Sequence, residues 1–286
     1  LTVKNIISYA RFKEDAAFSL FGDNYIYPAN FLFPFNPAGR LGGIQIKTGP
    51  SGEYAYQSTF TEELQLQGNS ADGRLNWQVG AYLELSTPPD YNSGYNEIFI
   101  ECTNAATLAC TPSFLAAPAF GGLRNISTSS IKNFYNNKGL YAQATYKFTD
   151  QLSLTGGIRY TMDRMRDDSR NINTAIIAPG SALYICQDPI RLAGQTASGP
   201  NGPGCDTPDL RQDSNAATWL IGLDYKPTDD LLLYAKYSRG YRQGSIISGN
   251  FAFPTFKPEK VDTYEIGSKF SFSGSVPGYL NIAGFY

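Results

Sequence analysis

The chain has 286 residues, with 23 Lys and Arg, 25 Asp and Glu and no His, for a formal charge of −2. Near-neutrality excludes the basic surface that a nucleic-acid grip needs. The lack of His removes the commonest general base and the commonest metal ligand, and with them most Ser/His/Asp, Cys/His and zinc-site chemistry.

Charged residues are 17% of the chain, below the roughly 25% of soluble domains. Tyr (20) and Phe (18) are abundant. The longest uncharged stretch, Cys102 to Leu123, holds Pro112, Pro118 and two cysteines, which argues against a helix crossing lipid. Such a composition fits an extracellular all-β domain or a membrane β-barrel, and periodicity has to choose.

Strands are predicted near 1–12, 53–67, 74–86, 130–148, 151–166, 215–226, 230–243, 259–273 and 279–286. In the third, Leu75, Trp77, Val79, Ala81, Leu83 and Leu85 alternate with Asn76, Gln78, Gly80, Tyr82, Glu84 and Ser86. Successive strand side chains point to opposite faces, so this strand has one apolar and one polar side. Leu140 to Phe148, Leu152 to Met162, Ala217 to Tyr225 and Tyr264 to Phe272 repeat the pattern. A tilted crossing of the hydrocarbon layer takes about 9 to 11 residues, more than an ordinary globular strand. No segment has helical spacing, and the fold class is all-β.

The connections alternate in length. Long ones over 13–52, 87–129 and 167–214, and a medium one over 244–258, are separated by short ones at Gly68–Gly73, Thr149-Asp150, Pro227–Asp229 and Ser273–Gly278. An antiparallel up-and-down transmembrane barrel places its long loops at one end and short turns at the other, which a sandwich has no reason to do. Tyr146, Phe148, Tyr225, Phe270 and Phe272 sit just before short turns, where an interfacial aromatic girdle belongs.

A set of short stretches resembles the TonB-dependent outer-membrane receptors. These are Thr61-Glu62-Glu63-Leu64-Gln65-Leu66; Gly73-Arg74-Leu75-Asn76-Trp77 with Gly80; Gly139 to Ala144 with Gly156-Gly157-Ile158-Arg159-Tyr160; Tyr225 to Asp230; Tyr234 with Ser238-Arg239-Gly240-Tyr241-Arg242; and Pro258 to Lys269. Each is weak alone, and their order and spread over most of the chain carry the resemblance. It implies a closed barrel of about 22 strands around an N-terminal plug, with an upstream box that meets an energy-transducing partner. Neither box nor plug is recognisable here. Nine strands, opening inside one at Leu1 and stopping inside another at Tyr286, lead us to expect an incomplete barrel wall over residues 1–286.

Four cysteines fall in two of the long loops, Cys102 with Cys110 and Cys186 with Cys205. Pairing within each loop is expected, and places the loops in an oxidising compartment. Zinc is the weaker reading, since the spacing is wrong and no His assists. Glu259, Glu265 and Lys269 share a strand face and, with Arg159, are read as lumen-facing. Salt links that fix register and hold a plug account for them more simply than ligand contacts do. The run Asp163 to Asp168 is read as a solvated strand tip rather than a cation site. Phe31-Leu32-Phe33-Pro34-Phe35 is either an apolar ligand grip or its loop's own core.

The resemblance implies a monomeric receptor in the bacterial outer membrane. It would meet lipid and the TonB complex, carry no cofactor and no catalytic site, and import a scarce small molecule, a ferric siderophore being the commonest class. A passive porin would share the alternation but not the motifs. An outer-membrane hydrolase would need a nucleophile and base that the sequence does not provide.

Overall fold

The computed structural model describes residues 1–20, 25–28, 39–41, 44–49, 52–98, 100–104, 107–112, 125–178, 181–188, 192, 194–199, 202–207, 209–248, 250 and 252–286. Among them every regular element is a strand. Nine strands form one antiparallel wall in chain order: β1 (Thr2–Glu14), β2 (Ala55–Asn69), β3 (Leu75–Thr87), β4 (Asn125–Lys147), β5 (Leu152–Ala178), β6 (Leu210–Thr228), β7 (Leu231–Arg242), β8 (Glu259–Phe272) and β9 (Gly278–Phe285). The path is open, with β1 and β9 as its edges. Five further short strands pair onto it, making a sheet of fourteen.

The ladders carry each face intact from strand to strand. Leu66, Val79, Ala142, Ile158 and Trp219 are successive partners on one side. Gln65, Gly80, Tyr141, Arg159 and Thr218 are successive partners on the other. A slip of one residue would exchange the two sets, so the register is fixed by the requirement that one face be apolar. Leu140, Ile158, Ile221, Leu223 and Ile266 are all exposed on that face. An exposed apolar surface this wide is stable only against something other than water. The edge strand β1 sorts less cleanly, with Ile6 and Phe12 exposed on the polar side.

Aromatics bound the apolar belt at both ends. Near the short turns Tyr146 packs edge-on against Phe148 at 5.1 Å, and Phe270 lies 6.1 Å from Phe272. At the other end Tyr237 stacks on Tyr264 at 4.8 Å, and Arg239 lies over Trp219 at 4.6 Å. The short turns are tied locally. Asp72 accepts from Arg74 N–H and from the Ser70 hydroxyl, which holds its carboxyl below the usual range. Gly73 there has φ of 70°, a left-handed conformation that favours glycine.

Beyond the belt the sheet continues where the sequence suggests loops. β4 has 23 residues and β5 has 27, too long for a bilayer crossing alone. Residues 87–129 contain a strand at Tyr91–Ile98, paired with β4, and a hairpin of Ile100–Asn104 with Ala109–Pro112. Residues 13–52 add Ile44–Thr48 beside Tyr91–Ile98, and 167–214 add Ser181–Cys186 beside β5. The β4 extension, Asn125 to Asn137, is largely polar on both faces, so no hydrophobic period announces it. The segment Phe31 to Phe35 lies outside the described residues.

Two small cores sit under the extensions, each containing a disulfide. Cys102–Cys110 joins directly opposed residues of the short hairpin, beside Tyr95 and Ile126. Cys186–Cys205 packs with Ile172 and Leu192. Burial pushes the Tyr95 phenol up to about 12, keeping it neutral. A buried ion pair clamps the first hairpin. Lys47 Nζ lies 2.9 Å from Glu97 Oε2 and also donates to Cys102 O, while Cys102 N–H donates to the same carboxylate oxygen. Glu97 is fully buried and Lys47 is about one-third exposed.

Replacing Glu97 by Ala strands the Lys47 ammonium and the Cys102 N–H. The expected loss is about 2–4 kcal/mol, confined to this module. Hydrogen exchange of residues 100–112 should accelerate while β7 and β8 keep their protection. Unchanged exchange in the hairpin would refute the clamp.

Candidate functional site

The belt strands present their hydrogen-bonding side chains on the polar face, and these form chains that run across the ladders. Tyr141 Oη donates to Glu63 Oε1 and accepts from Gln78 Nε2 at 3.2 Å. Tyr82 Oη donates to Glu84 Oε2 at 2.7 Å, and Asn137 donates to the other Glu84 oxygen at 3.2 Å. Arg159 bridges these groups, its Nε donating to Thr161 at 3.2 Å and its guanidinium 5.4 Å from the Tyr82 ring centre. On the far side Tyr234 Oη donates to Glu265 Oε1 at 2.6 Å, with Lys269 Nζ 6.0 Å from its ring. A hollow of about 460 Å³ opens between the two groups, lined by Gln78, Gln143, Arg159, Thr218, Lys236 and Ser238 among others.

Glycines set the depth of this face. A Cβ on Gly80 would lie 2.5 Å from the Tyr141 ring and 2.8 Å from Leu64 O. One on Gly267 would lie 2.6 Å from the Tyr234 ring, and one on Gly139 would meet the Arg159 guanidinium at 2.7 Å. In each case the long side chain lies flat across a neighbouring strand where no side chain stands, and the two tyrosine cases are a glycine–aromatic pairing known from sheets. Three large polar residues thus run along the wall instead of projecting from it.

The expected lumen-facing residues do share a face. Arg159, Glu265, Lys269 and Glu259 all stand on the polar side of the registered ladders. They are not one site. Arg159 belongs to the group around Tyr82, Glu265 and Lys269 meet at Tyr234, and Glu259 is 3.7 Å from Arg242 in a well-exposed pair. Glu63, Tyr141 and Tyr234 fall within the stretches that carry the family resemblance, but neither they nor Tyr82 receive a site role from the sequence. The signal available for them was glycine on the polar face of a strand, at Gly80 and Gly267.

The run from Asp163 to Asp168 is divided by the strand it lies in. Asp163 and the fully buried Asp167 stand on the polar face; Arg164, Arg166 and Asp168 stand on the other. Asp167 accepts from Ser248 at 2.5 Å, so it is packed, not a solvated tip. Among the described residues no three His, Cys, Asp or Glu side chains converge as metal ligands would. A further hollow, about 660 Å³, lies elsewhere, against Leu154, Ile221, Leu223 and Ile266 of the apolar face.

One apolar belt bounded by aromatics, one polar face and tight turns at one end define the wall of a membrane β-barrel. The chain belongs to the TonB-dependent receptors: residues 2–286 match the family described as TonB dependent receptor-like, beta-barrel. It is 24% identical over 269 residues to a rhizobactin receptor of Rhizobium meliloti (strain 1021), covering 84% of this chain and 31% of that protein. It is 26% identical over 220 residues to a catecholate siderophore receptor, Fiu, of Escherichia coli (strain UTI89 / UPEC), covering 73% of this chain and 26% of that protein. The chain therefore spans less than a third of either relative.

Solved structures share the fold. The ferric yersiniabactin uptake receptor FyuA of Yersinia pestis superposes with a TM-score of 0.57 at 13% identity, over 99% of this chain and 32% of that one. The siderophore receptor PiuA of Acinetobacter baumannii gives 0.56 at 17% identity, over 99% and 37%.

The flat-lying aromatics lead to a measurable ranking. Tyr141→Phe removes both hydrogen bonds of the hydroxyl, to Glu63 and from Gln78, and should cost about 2 kcal/mol. Gly80→Ala displaces the whole ring from the wall and strains the contact with Leu64 O, so it should cost more. Thermal unfolding of both variants decides; an Ala variant as stable as the Phe variant would sink the close-approach argument.

Proposed function

We propose that this chain is a section of the barrel wall of an outer-membrane active-transport receptor. The receptor binds a scarce ligand, most simply a ferric siderophore, and imports it with energy delivered by the TonB complex. The observation that carries the reading is the family match over residues 2–286. The two relatives above, a rhizobactin receptor and a catecholate siderophore receptor, point to the ligand class. In this reading the apolar face meets lipid, and the polar face lines a lumen filled by a plug outside residues 1–286. The segments 13–52, 87–129 and 167–214 stand on the cell exterior, where their disulfides suit an oxidising environment. The receptor acts as a monomer.

The wall's part is physical, not catalytic. A plug that shifts during transport must slide past the lumen surface without tearing its hydrogen bonds. On this wall Glu63, Glu84 and Glu265 already have tyrosine partners on the wall itself. Such a surface offers a moving plug few unpaired carboxylates to stick to, which keeps release cheap.

Deleting the gene should abolish uptake of iron-55 bound to a siderophore by iron-starved cells, and removing the inner-membrane energy source should do the same. Uptake independent of that energy source, together with large ion conductance of the purified full-length protein, would favour a passive porin instead. The lipid-facing assignment has its own test. Ile158→Arg at mid-belt should cost about 2–4 kcal/mol of folding stability in vesicles. Thr155→Arg, on the polar face of the same strand, should cost far less; equal costs would overturn the assignment of faces.

A further inference from the structure

The apolar face changes character abruptly above its belt on β3 to β6. One row of ladder partners reads Ala81, Leu140, Tyr160 and Ala217, and the next reads Leu83, Lys138, Met162 and Asn215. The row beyond is Leu85, Asn136, Arg164 and Asp213, followed by Phe134, Arg166 and Arg211. Leu85, Thr87, Phe134, Asn136 and the three arginines line a hollow of about 410 Å³. All of them have the register of the apolar face.

The charges in this hollow do not balance. Arg164 Nε is 2.7 Å from Asp213, with both side chains more than half exposed. Asp209 reaches Arg166 only at 3.9 Å. Arg166 lies over the Phe134 ring at 4.3 Å, and its buried Nε has no hydrogen-bond partner. Arg211 is the direct ladder partner of Arg166, and like charges directly opposed on neighbouring strands repel. The hollow's three arginines thus face two loosely placed carboxylates. One position higher, Lys132 and Asp168 face each other and offset.

We propose that this hollow binds the phosphate of a membrane lipid whose acyl chains lie along the belt below. The proposal rests on the reading of the apolar face as lipid-facing. Guanidinium groups in a partly enclosed site suit a phosphate better than ammonium groups do, because their planar donor forks match its oxygens. The position selects the lipid as the source. A phosphate held between Arg166 and Arg211 stands three rows above Leu140 and Tyr160, so the chains attached to it descend onto the apolar side chains. Aromatic Phe134 and aliphatic Leu85 form the hollow's walls and suit a glycerol or sugar backbone more than a free inorganic ion.

The test uses the full-length protein in detergent, with native mass spectrometry to count retained lipid. Dimyristoyl phosphatidic acid and dimyristoyl phosphatidylcholine, alike in chains and different in headgroup, compete at equal concentration. Phosphatidic acid should be preferred by about tenfold, the scale of a charge-assisted hydrogen bond. Arg166→Gln with Arg211→Gln should bring the ratio close to one. Arg242→Gln, on the polar face, should leave it unchanged. Arg211 has no partner among the described residues, so Arg211→Gln alone serves if the double variant fails to fold, and should lower the ratio. No headgroup preference, or a preference that survives these substitutions, overturns the proposal. Displacement of the lipid by millimolar inorganic phosphate alone also overturns it, because the hollow would then be a free-anion site. Failure of the protein to enter phosphatidylcholine vesicles at all would instead overturn the lipid-facing reading.

Discussion

Lipid provides no partner for a peptide N–H or C=O, so a chain that crosses it must pair every backbone group with itself. Here the pairing runs laterally, from β1 to β9 through eight antiparallel ladders. The other features of the belt descend from that choice. Lateral pairing makes strands, strands put neighbouring side chains on opposite faces, and two different environments then sort those faces. Aromatic rings gather where belt gives way to headgroups because they are apolar in body and polar at the edge. Even the close approach of Tyr141 to Gly80 is a ladder effect, since the two are directly paired across β3 and β4.

Above the belt the same ladders continue under a different constraint. Water is available there, so backbone pairing no longer forces a sheet, and the apolar belt supplies no driving force. The extensions of β4 and β5 hold together through what small cores allow: two disulfides, Ile126 and Ile172 almost completely buried, and the Lys47–Glu97 pair. Small domains with little apolar surface commonly need such staples. The buried polar side chains Ser93, Thr128 and Ser130 lie where a larger core would carry aliphatic groups.

This difference in constraint explains what could be read from the sequence. The belt strands were legible because lipid enforces period two: Leu75 to Leu85 and Leu152 to Met162 spell it out. The extensions were not. Asn125 to Asn137 reads NISTSSIKNFYNN, with no apolar period, and its place in β4 depends on partners 26 or more residues away. The order of the wall followed from alternating short and long connections. The polar-face groupings did not, because Glu63 and Tyr141 are 78 residues apart and only the register brings them together. Asp163 to Asp168 failed in the opposite way. A contiguous acidic and basic run looks like one cluster, yet an extended chain deals alternate members to opposite faces.

That dealing also explains why arginine appears on both sides of β5 with different neighbours. Arg159, on the polar face, lies over Tyr82 and bonds Thr161, within a network whose carboxylates are already bonded. Arg166, seven residues on and on the other face, meets Phe134, a distant Asp209 and another arginine. The two side chains are chemically identical, and strand parity alone separates their surroundings. On a lumen wall, excess charge would hold whatever moves past it, so pairing is favoured there. On a surface at the edge of a lipid layer, unpaired cations meet headgroup phosphates and repulsion between them is relieved by a ligand. The imbalance at Arg166 and Arg211 is therefore tolerable on the face where it occurs, and would be costly on the other.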